Sequence, residues 1–369
     1  MNKILDYLNK GISDLHPYEP GRSIDDVIAE YKPEKVVKLA SNENPLGASP
    51  KAIKALEAAT DSLHLYPDGD SKNLKLLIAK HESVDIDNII IGNGSNEVLE
   101  LAARAFLNKD SSAVMSKHAF AVYKIVTQSN GSKIIEVPTT DWKHSLDDFS
   151  NYFEDSTRIC FIANPNNPTG SIIFKKELIK FLDKVPSTII VVLDGAYSEF
   201  IKDKSYTDGV DLVNKYKNLI ITRTFSKIFG LAGLRLGWGY SNKEIINLME
   251  RIRGPFNVNL IAQHIGSLIL KDNEFLKKSI DHNEKWRHYL PKKLNELGFK
   301  VKTSYTNFVL VEVDKKKHSK EKILNILKKN KIIVRDMKSY NLQNFFRVSI
   351  GRDSHMKKFL KVLKSSLDK

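Results

Sequence analysis

One cysteine in 369 residues, Cys160, leaves no partner for an intrachain disulfide and no thiol cluster for zinc or iron–sulfur chemistry, so a cytoplasmic compartment is expected. No apolar run approaches the roughly 18 residues of a membrane span. The opening MNKILDYLNKGISDL interrupts its apolar positions with acidic and polar ones, which argues against a secretory leader. Neither a repeat nor a low-complexity tract is visible. Lys and Arg (58) outnumber Asp and Glu (44), giving +14, yet apart from Lys315 to Lys317 the excess is dispersed along the chain. A dispersed excess concerns solubility first. Without a helix-turn-helix extension or interleaved basic and aromatic residues it argues against nucleic acid, and DNA retention at physiological salt would be needed to revive that reading.

What the chain does have is 41% apolar and 28% charged residues, enough for a large core and about two domains. Short β-branched runs alternate with amphipathic stretches, the pattern of a mostly parallel sheet covered by helices. Strands are expected at 88–92, 111–116, 133–137, 158–163, 188–194, 218–222 and 234–240. Between them, 95–107 reads as a covering helix, with Val98, Leu99, Ala102, Ala103 and Phe106 on one face. Beyond 255 a long helical pattern near 272–297 precedes strand-like runs at 308–313, 331–335 and 345–350. The expected division is an N-terminal arm (1–30) packing on the small domain, a large α/β domain (31–255) and a small α+β domain (256–369).

The stretch TFSKIFGLAGLRLGWG (224–239) sets Lys227 inside an apolar, glycine-punctuated segment. Alone, Lys227 reads as a solvated loop lysine. Ser226 and the Arg235 fork beside it suit a phosphate, and Gly230, Gly233 and Gly237 permit close backbone approach. A lysine near a phosphate site points to a cofactor aldehyde, and pyridoxal phosphate also needs a carboxylate against its ring nitrogen. Asp194 closes the run TIIVVLD at a strand's carboxyl end, where open α/β sheets place ligands. A capping role is the alternative. Tyr197, three residues on, and Asn167, in the turn-rich NPNNPTG (164–170), offer donors to the ring's phenolate oxygen, although turn chemistry alone accounts for that loop. IIIGNGSNEV (89–98) is a strand, a glycine turn and a helix start, an arrangement that presents N–H groups to phosphate.

The ordered set GNGSNEVLELAARAF, HAFAVY, NPNNPTG, DGAY and TFSKIFGLAGLRLGW resembles the fold-type-I, pyridoxal-phosphate-dependent aminotransferases, specifically the histidinol-phosphate aminotransferase family. DLHPYEPG (14–21), LASNENPLG (39–47), LYPDG (65–69), IIVRDM (332–337) and FFRVSIG (345–351) extend the resemblance over nearly the whole chain. It implies that Lys227 is the Schiff-base lysine, that Asp194 pairs with the pyridine nitrogen, and that Tyr197 and Asn167 hold the phenolate oxygen. Phe120 would stack on the ring. Gly94, Ser95, Asn96, Thr224, Ser226 and Arg235 would hold the phosphate, with Tyr66 reaching in from the partner of a homodimer. Tyr18, Asn42, Arg335 and Arg347 would bind substrate, the arginines taking anionic groups. Without the resemblance, Arg335 and Arg347 read as solvated strand-edge charges. The chain departs from the family pattern at Gly195, where many members carry Glu, and at Asn96, where some carry an acid.

The reaction so implied is transfer of the amino group of L-histidinol phosphate to 2-oxoglutarate in two half-reactions, within histidine biosynthesis, with no metal, nucleic acid or membrane involved. Two rivals share the cofactor residues: an aromatic or broad-range aminotransferase, separable by its turnover of phenylalanine, and a threonine-phosphate decarboxylase, separable by release of carbon dioxide.

Overall fold

The computed structural model describes residues 8, 11–13, 15 and 36–367. Tyr18 and most of the expected 1–30 arm lie outside the described residues. Among the described residues twelve strands follow in chain order: β1 (Val37–Leu39), β2 (Ile89–Gly92), β3 (Ser112–Ser116), β4 (Lys133–Val137), β5 (Thr157–Ala163), β6 (Ile190–Asp194), β7 (Leu219–Thr224), β8 (Gly237–Tyr240), β9 (Lys300–Val301), β10 (Phe308–Glu312), β11 (Ile332–Asp336) and β12 (Phe345–Ser349). Seven form one sheet in the order β2-β8-β7-β6-β5-β3-β4, parallel throughout except for β8, which runs antiparallel to both neighbours. The other five form a second sheet in the order β1-β11-β12-β10-β9.

Alternation along the seven-stranded sheet explains why its strands read as continuous apolar runs. Ile89, Ile91, Cys160, Ile162, Val191 and Leu193 enter one core, while Ile90, Ile159, Phe161, Ile190 and Val192 enter the other. Both faces are therefore dry, as a helix-covered parallel sheet requires. Helix starts carry the expected side-chain caps: Ser49 accepts from Lys51 N before Pro50–Ala59, and Asn242 accepts from Ile245 N before Lys243–Glu250. The second sheet buries Val309, Val311, Phe346 and Val348 under Trp286, Leu290 and Phe359.

Three expectations need correction. The strand expected over 234–240 shortens to Gly237–Tyr240, because Ala232–Leu234 forms a 3-10 turn and Arg235 takes a left-handed backbone (φ 55°). Val37–Leu39, expected within the large domain, instead pairs with Ile332–Val334 at the edge of the second sheet. A boundary at 255 also misses the change of core. Helix Leu260–Ile269 still buries Ala262, Ile265 and Ile269 in the first core, and helix Asn273–Glu296 begins there with Phe275 and ends in the second core with Trp286, Leu290 and Leu294. A single amphipathic helix thus serves two cores, which a change of texture along the sequence does not register. The sheets also touch through Trp142, in the loop after β4, whose ring lies 4.8 Å from that of Phe345 and 5.1 Å from that of His118.

Phe359 is fully buried on helix Asp353–Leu367, away from the strand ends that carry the site. Phe359→Ala should cost about 3–5 kcal/mol, read as a lowered midpoint in urea unfolding; an unchanged midpoint contradicts this packing.

Candidate active site

Strands β5, β6 and β7 are adjacent and parallel, so their carboxyl ends emerge together: Ala163 pairs with Asp194, and Asp194 with Thr222. Each is followed by one of the segments singled out in the sequence. After β5, Asn164 and Asn166 build the turn. Asn164 exchanges two hydrogen bonds with Ile173 (2.9 and 2.8 Å), and Asn166 Nδ2 donates to His118 O and Thr169 Oγ1 (both 2.8 Å). Asn167 is the one of the three that lines the cavity.

That cavity, of about 270 Å³, brings together residues from both sheets. The seven-stranded sheet and its loops contribute Asp194, Tyr197, Lys227 and Phe120. Ser95, Asn96, Thr224, Ser226 and Arg235 line one end, and Asn42, Arg335 and Arg347 line it from the segments around the second sheet. Gly94 precedes helix Ser95–Phe106 with φ 79°, and a Cβ there would lie 2.5 Å from Arg235 Nη2. Gly237 is more constrained, since its Cβ would meet Ser95 N at 2.2 Å and Gly94 C at 2.6 Å. Only glycine at both places lets β8, the helix start and the guanidinium close into one cradle. Arg235 Nη1 donates to Ser226 Oγ at 3.2 Å, and Ser226 N donates to Thr224 Oγ1 at 3.1 Å. A helix N-terminus, two hydroxyls and a guanidinium make a donor set for a phosphate.

Asp194 is buried, and burial pushes its carboxyl above the usual range despite donation from Tyr123 Oη to Oδ2 (2.8 Å) and from Thr222 Oγ1 to Oδ1 (3.0 Å). Such a carboxylate is matched by a cationic ligand group, such as a protonated ring nitrogen. Lys227 shifts the other way. Burial first, then the fields of Arg347 and Arg235, lower its amine to about 8, while Glu43 and Asp194 oppose the shift. Its Nζ lies 3.5 Å from Ser41 O and 5.8 Å from the centre of the Tyr197 ring. Tyr197, raised to about 12 mainly by burial, accepts from Asn42 Nδ2 at 2.9 Å. Arg347 donates through Nη1 to Asn167 Oδ1 and through Nη2 to Ala40 O (2.8 Å), and its guanidinium covers the Phe308 ring at 4.9 Å. Asn167 thereby keeps its Nδ2 amide hydrogens to offer a ligand. Arg335 faces Arg347 across the β11–β12 ladder.

Tyr66 does not line this cavity. Its side chain is 81% exposed and stacks on Phe256 (4.8 Å). Sequence reasoning missed Tyr123, Thr222, Tyr340 and Glu43. Thr222 precedes Thr224 by one strand period, so periodicity could have found it, whereas Tyr123, one helical step beyond Phe120, reads from the sequence as a core residue. Tyr340 lines the cavity from the turn after β11, held where His118 Nδ1 meets its backbone oxygen at 3.0 Å; nothing in its local sequence marks it. Among the described residues, no group of His, Cys, Asp or Glu could hold a metal ion, and no helix is long and apolar enough to cross a membrane.

Comparison with known proteins adds identity to this geometry. The family model for aminotransferase class I and II matches residues 34–363. The chain is 41% identical to the histidinol-phosphate aminotransferase of Methylobacillus flagellatus, covering 100% of this chain and 99% of that one. It is 40% identical to that of Maricaulis maris, over 96% of each. In fold it is similar to the crystal structure of histidinol-phosphate aminotransferase from Sinorhizobium meliloti in complex with pyridoxal-5'-phosphate, with a TM-score of 0.88, 24% identity, and coverage of 97% of this chain and 96% of that one.

An aldehyde probe trapped by borohydride on cofactor-free protein should label Lys227 with a pH midpoint of about 8, below the 10.5 of an ordinary lysine. Arg347→Met removes a cation that disfavours the ammonium form, so the midpoint should rise; a midpoint that stays put or falls contradicts the electrostatic account.

Proposed function

The chain belongs to the class I and II aminotransferases, and on that premise we propose that it is a histidinol-phosphate aminotransferase using pyridoxal phosphate. It moves the amino group of L-histidinol phosphate to 2-oxoglutarate, giving imidazole acetol phosphate and L-glutamate. The observation that carries this reading is likeness at 40–41% identity, over almost the entire length, to relatives bearing that name. The cavity supports it chemically. A buried carboxylate seeking a cation, a lysine made partly neutral and a cradle of donors fit the ring nitrogen, the aldehyde and the phosphate of the cofactor.

When bound, the cofactor would supply an aldehyde carbon to carry the amino group and an electron-withdrawing ring beside the substrate's α-carbon. Asp194 would hold its charge against the ring nitrogen, and Tyr197 and Asn167 would donate to the ring oxygen. Phe120 supplies a flat apolar face. Gly94, Ser95, Asn96, Thr224, Ser226 and Arg235 would hold the phosphate. Lys227 would remove the proton from the substrate α-carbon, a task that needs a neutral amine, and its lowered basicity raises the neutral fraction near neutral pH. Arg335 and Arg347 meet the anionic ends of both the phosphate monoester and the dicarboxylic acid, with Asn42 between Arg347's strand and Tyr197; Tyr18 belongs to the same reading. Histidine biosynthesis in the cytoplasm is the setting this reading assigns.

The active unit of this reading is a homodimer in which Tyr66 completes the partner's phosphate site. Tyr66, Phe256 (46% exposed) and the neighbouring Leu63 and Leu65 leave an apolar surface that a second copy would cover.

Turnover on L-histidinol phosphate should exceed that on phenylalanine, which lacks the phosphate, by about tenfold or more, the scale of one charge-assisted contact, and should also exceed that on threonine phosphate. Equal turnover of phenylalanine, or carbon dioxide released from threonine phosphate, would overturn the substrate assignment. Mixing Lys227→Ala with Tyr66→Ala should raise activity above that of either variant alone, because one site of the hybrid regains both groups. No gain on mixing, in a preparation shown by sedimentation to exchange subunits, rules out the role across the dimer.

A further inference from the structure

Tyr123 lies fully buried on helix Ala121–Ser129, one helical step beyond Phe120. Its ring is fixed on one face by Phe161 of β5, nearly parallel (6°) with centres 5.0 Å apart, and at its edge by Phe120, at 88° and 5.8 Å. A phenylalanine would fill this space equally well. The hydroxyl is therefore not required for packing, and burying it without a partner would be unfavourable. Its partner is Asp194 Oδ2, at 2.8 Å, while Thr222 Oγ1 holds Oδ1 at 3.0 Å. The two oxygens of one buried carboxylate are thus each engaged by a neutral donor from a different element, one from a helix and one from the neighbouring strand. Two such donors fix the rotation of the carboxylate plane and favour its ionised form without neutralising it. Burial and the adjacent Asp194 charge push the Tyr123 phenol well up, so it remains a donor at any working pH.

We propose that Tyr123, aided by Thr222, is a positioning residue that holds the Asp194 carboxylate in one orientation and in its charged form, facing the pyridine nitrogen of the cofactor. The proposal rests on the reading of Asp194 as the partner of that nitrogen. It assigns Tyr123 no contact with substrate and no proton transfer; its action passes entirely through Asp194.

The test is a double-mutant cycle on cofactor affinity, measured by equilibrium dialysis of pyridoxal phosphate against the wild-type protein, Tyr123→Phe, Asp194→Asn and the double variant. Tyr123→Phe should weaken binding about tenfold, as loss of a hydrogen bond to a charged group does, and by less than about twofold once Asn occupies position 194. The pH below which the wild type loses its cofactor on acidification should also move upward in Tyr123→Phe, because a carboxylate deprived of a donor takes up a proton earlier. Thr222→Val, which leaves the aromatic stack untouched, should show the same coupling and the same direction. Equal weakening in both backgrounds, accompanied by a lower melting midpoint of the cofactor-free protein, would mean that Tyr123 is structural and would overturn the proposal. So would unchanged affinity in both Tyr123→Phe and Thr222→Val. If Asp194→Asn itself leaves affinity and turnover intact, the premise about Asp194 fails, which is distinguishable from failure at Tyr123.

Discussion

A carboxylate withdrawn from water is stable only against a cation or a dense set of donors, and the cavity is organised around one such group. Asp194 ends β6, the middle strand of the seven-stranded sheet, with hydroxyls from Tyr123 and Thr222 on its oxygens and the field of Lys227 nearby. These do not bring it back to the ordinary acid range. The surrounding charges follow from that. Lys227 must approach without pairing fully with Asp194, and Arg347 and Arg235 outweigh the acidic neighbours that would keep its amine charged. The site separates one buried negative charge from several positive ones, with room between them for a ligand that carries both signs.

That separation depends on two sheets meeting. Arg347 and Ser349 stand on β12, yet Arg347 reaches Asn167 after β5, and Ser349 exchanges hydrogen bonds with Asn42 (2.7 and 2.9 Å), whose amide in turn holds Tyr197 after β6. Asn42 adopts a positive φ of 56° to make these contacts at once. The groups read as binding substrate and those read as binding cofactor are therefore joined by hydrogen bonds running from one sheet to the other. A shift of the second sheet would be felt at Tyr197 and Asn167.

Much of this was legible in the sequence because parallel strands announce themselves as apolar runs and place chemistry just past their ends. Asp194, Asn167 and the Thr224–Lys227 segment each follow such a run, and each lines the cavity. The close approach at Gly237 was foreshadowed by the glycines around it, but the left-handed Arg235 and the turn at Ala232–Leu234 were not, since that stretch passes equally for strand. Pairing partners hundreds of residues apart leave no local mark: β1 joins β11, and Ser349 finds Asn42. Tyr123 escaped notice for another reason. Its apolar ring satisfies the helix period, so only the position of Asp194 in space reveals what its hydroxyl does.

Trp142 sits where the loop after β4 enters the second sheet, its ring against Phe345 and His118. Indole emission depends on the polarity and neighbours of the ring, and here those neighbours come from both bodies of the fold. The chain thus carries an optical gauge at the contact between the sheets, since a change in the spacing of Trp142 from Phe345 or His118 would register in the emission of this ring. The other two tryptophans, Trp238 in the large sheet and Trp286 under the small one, are each buried within one core and take no part in this contact.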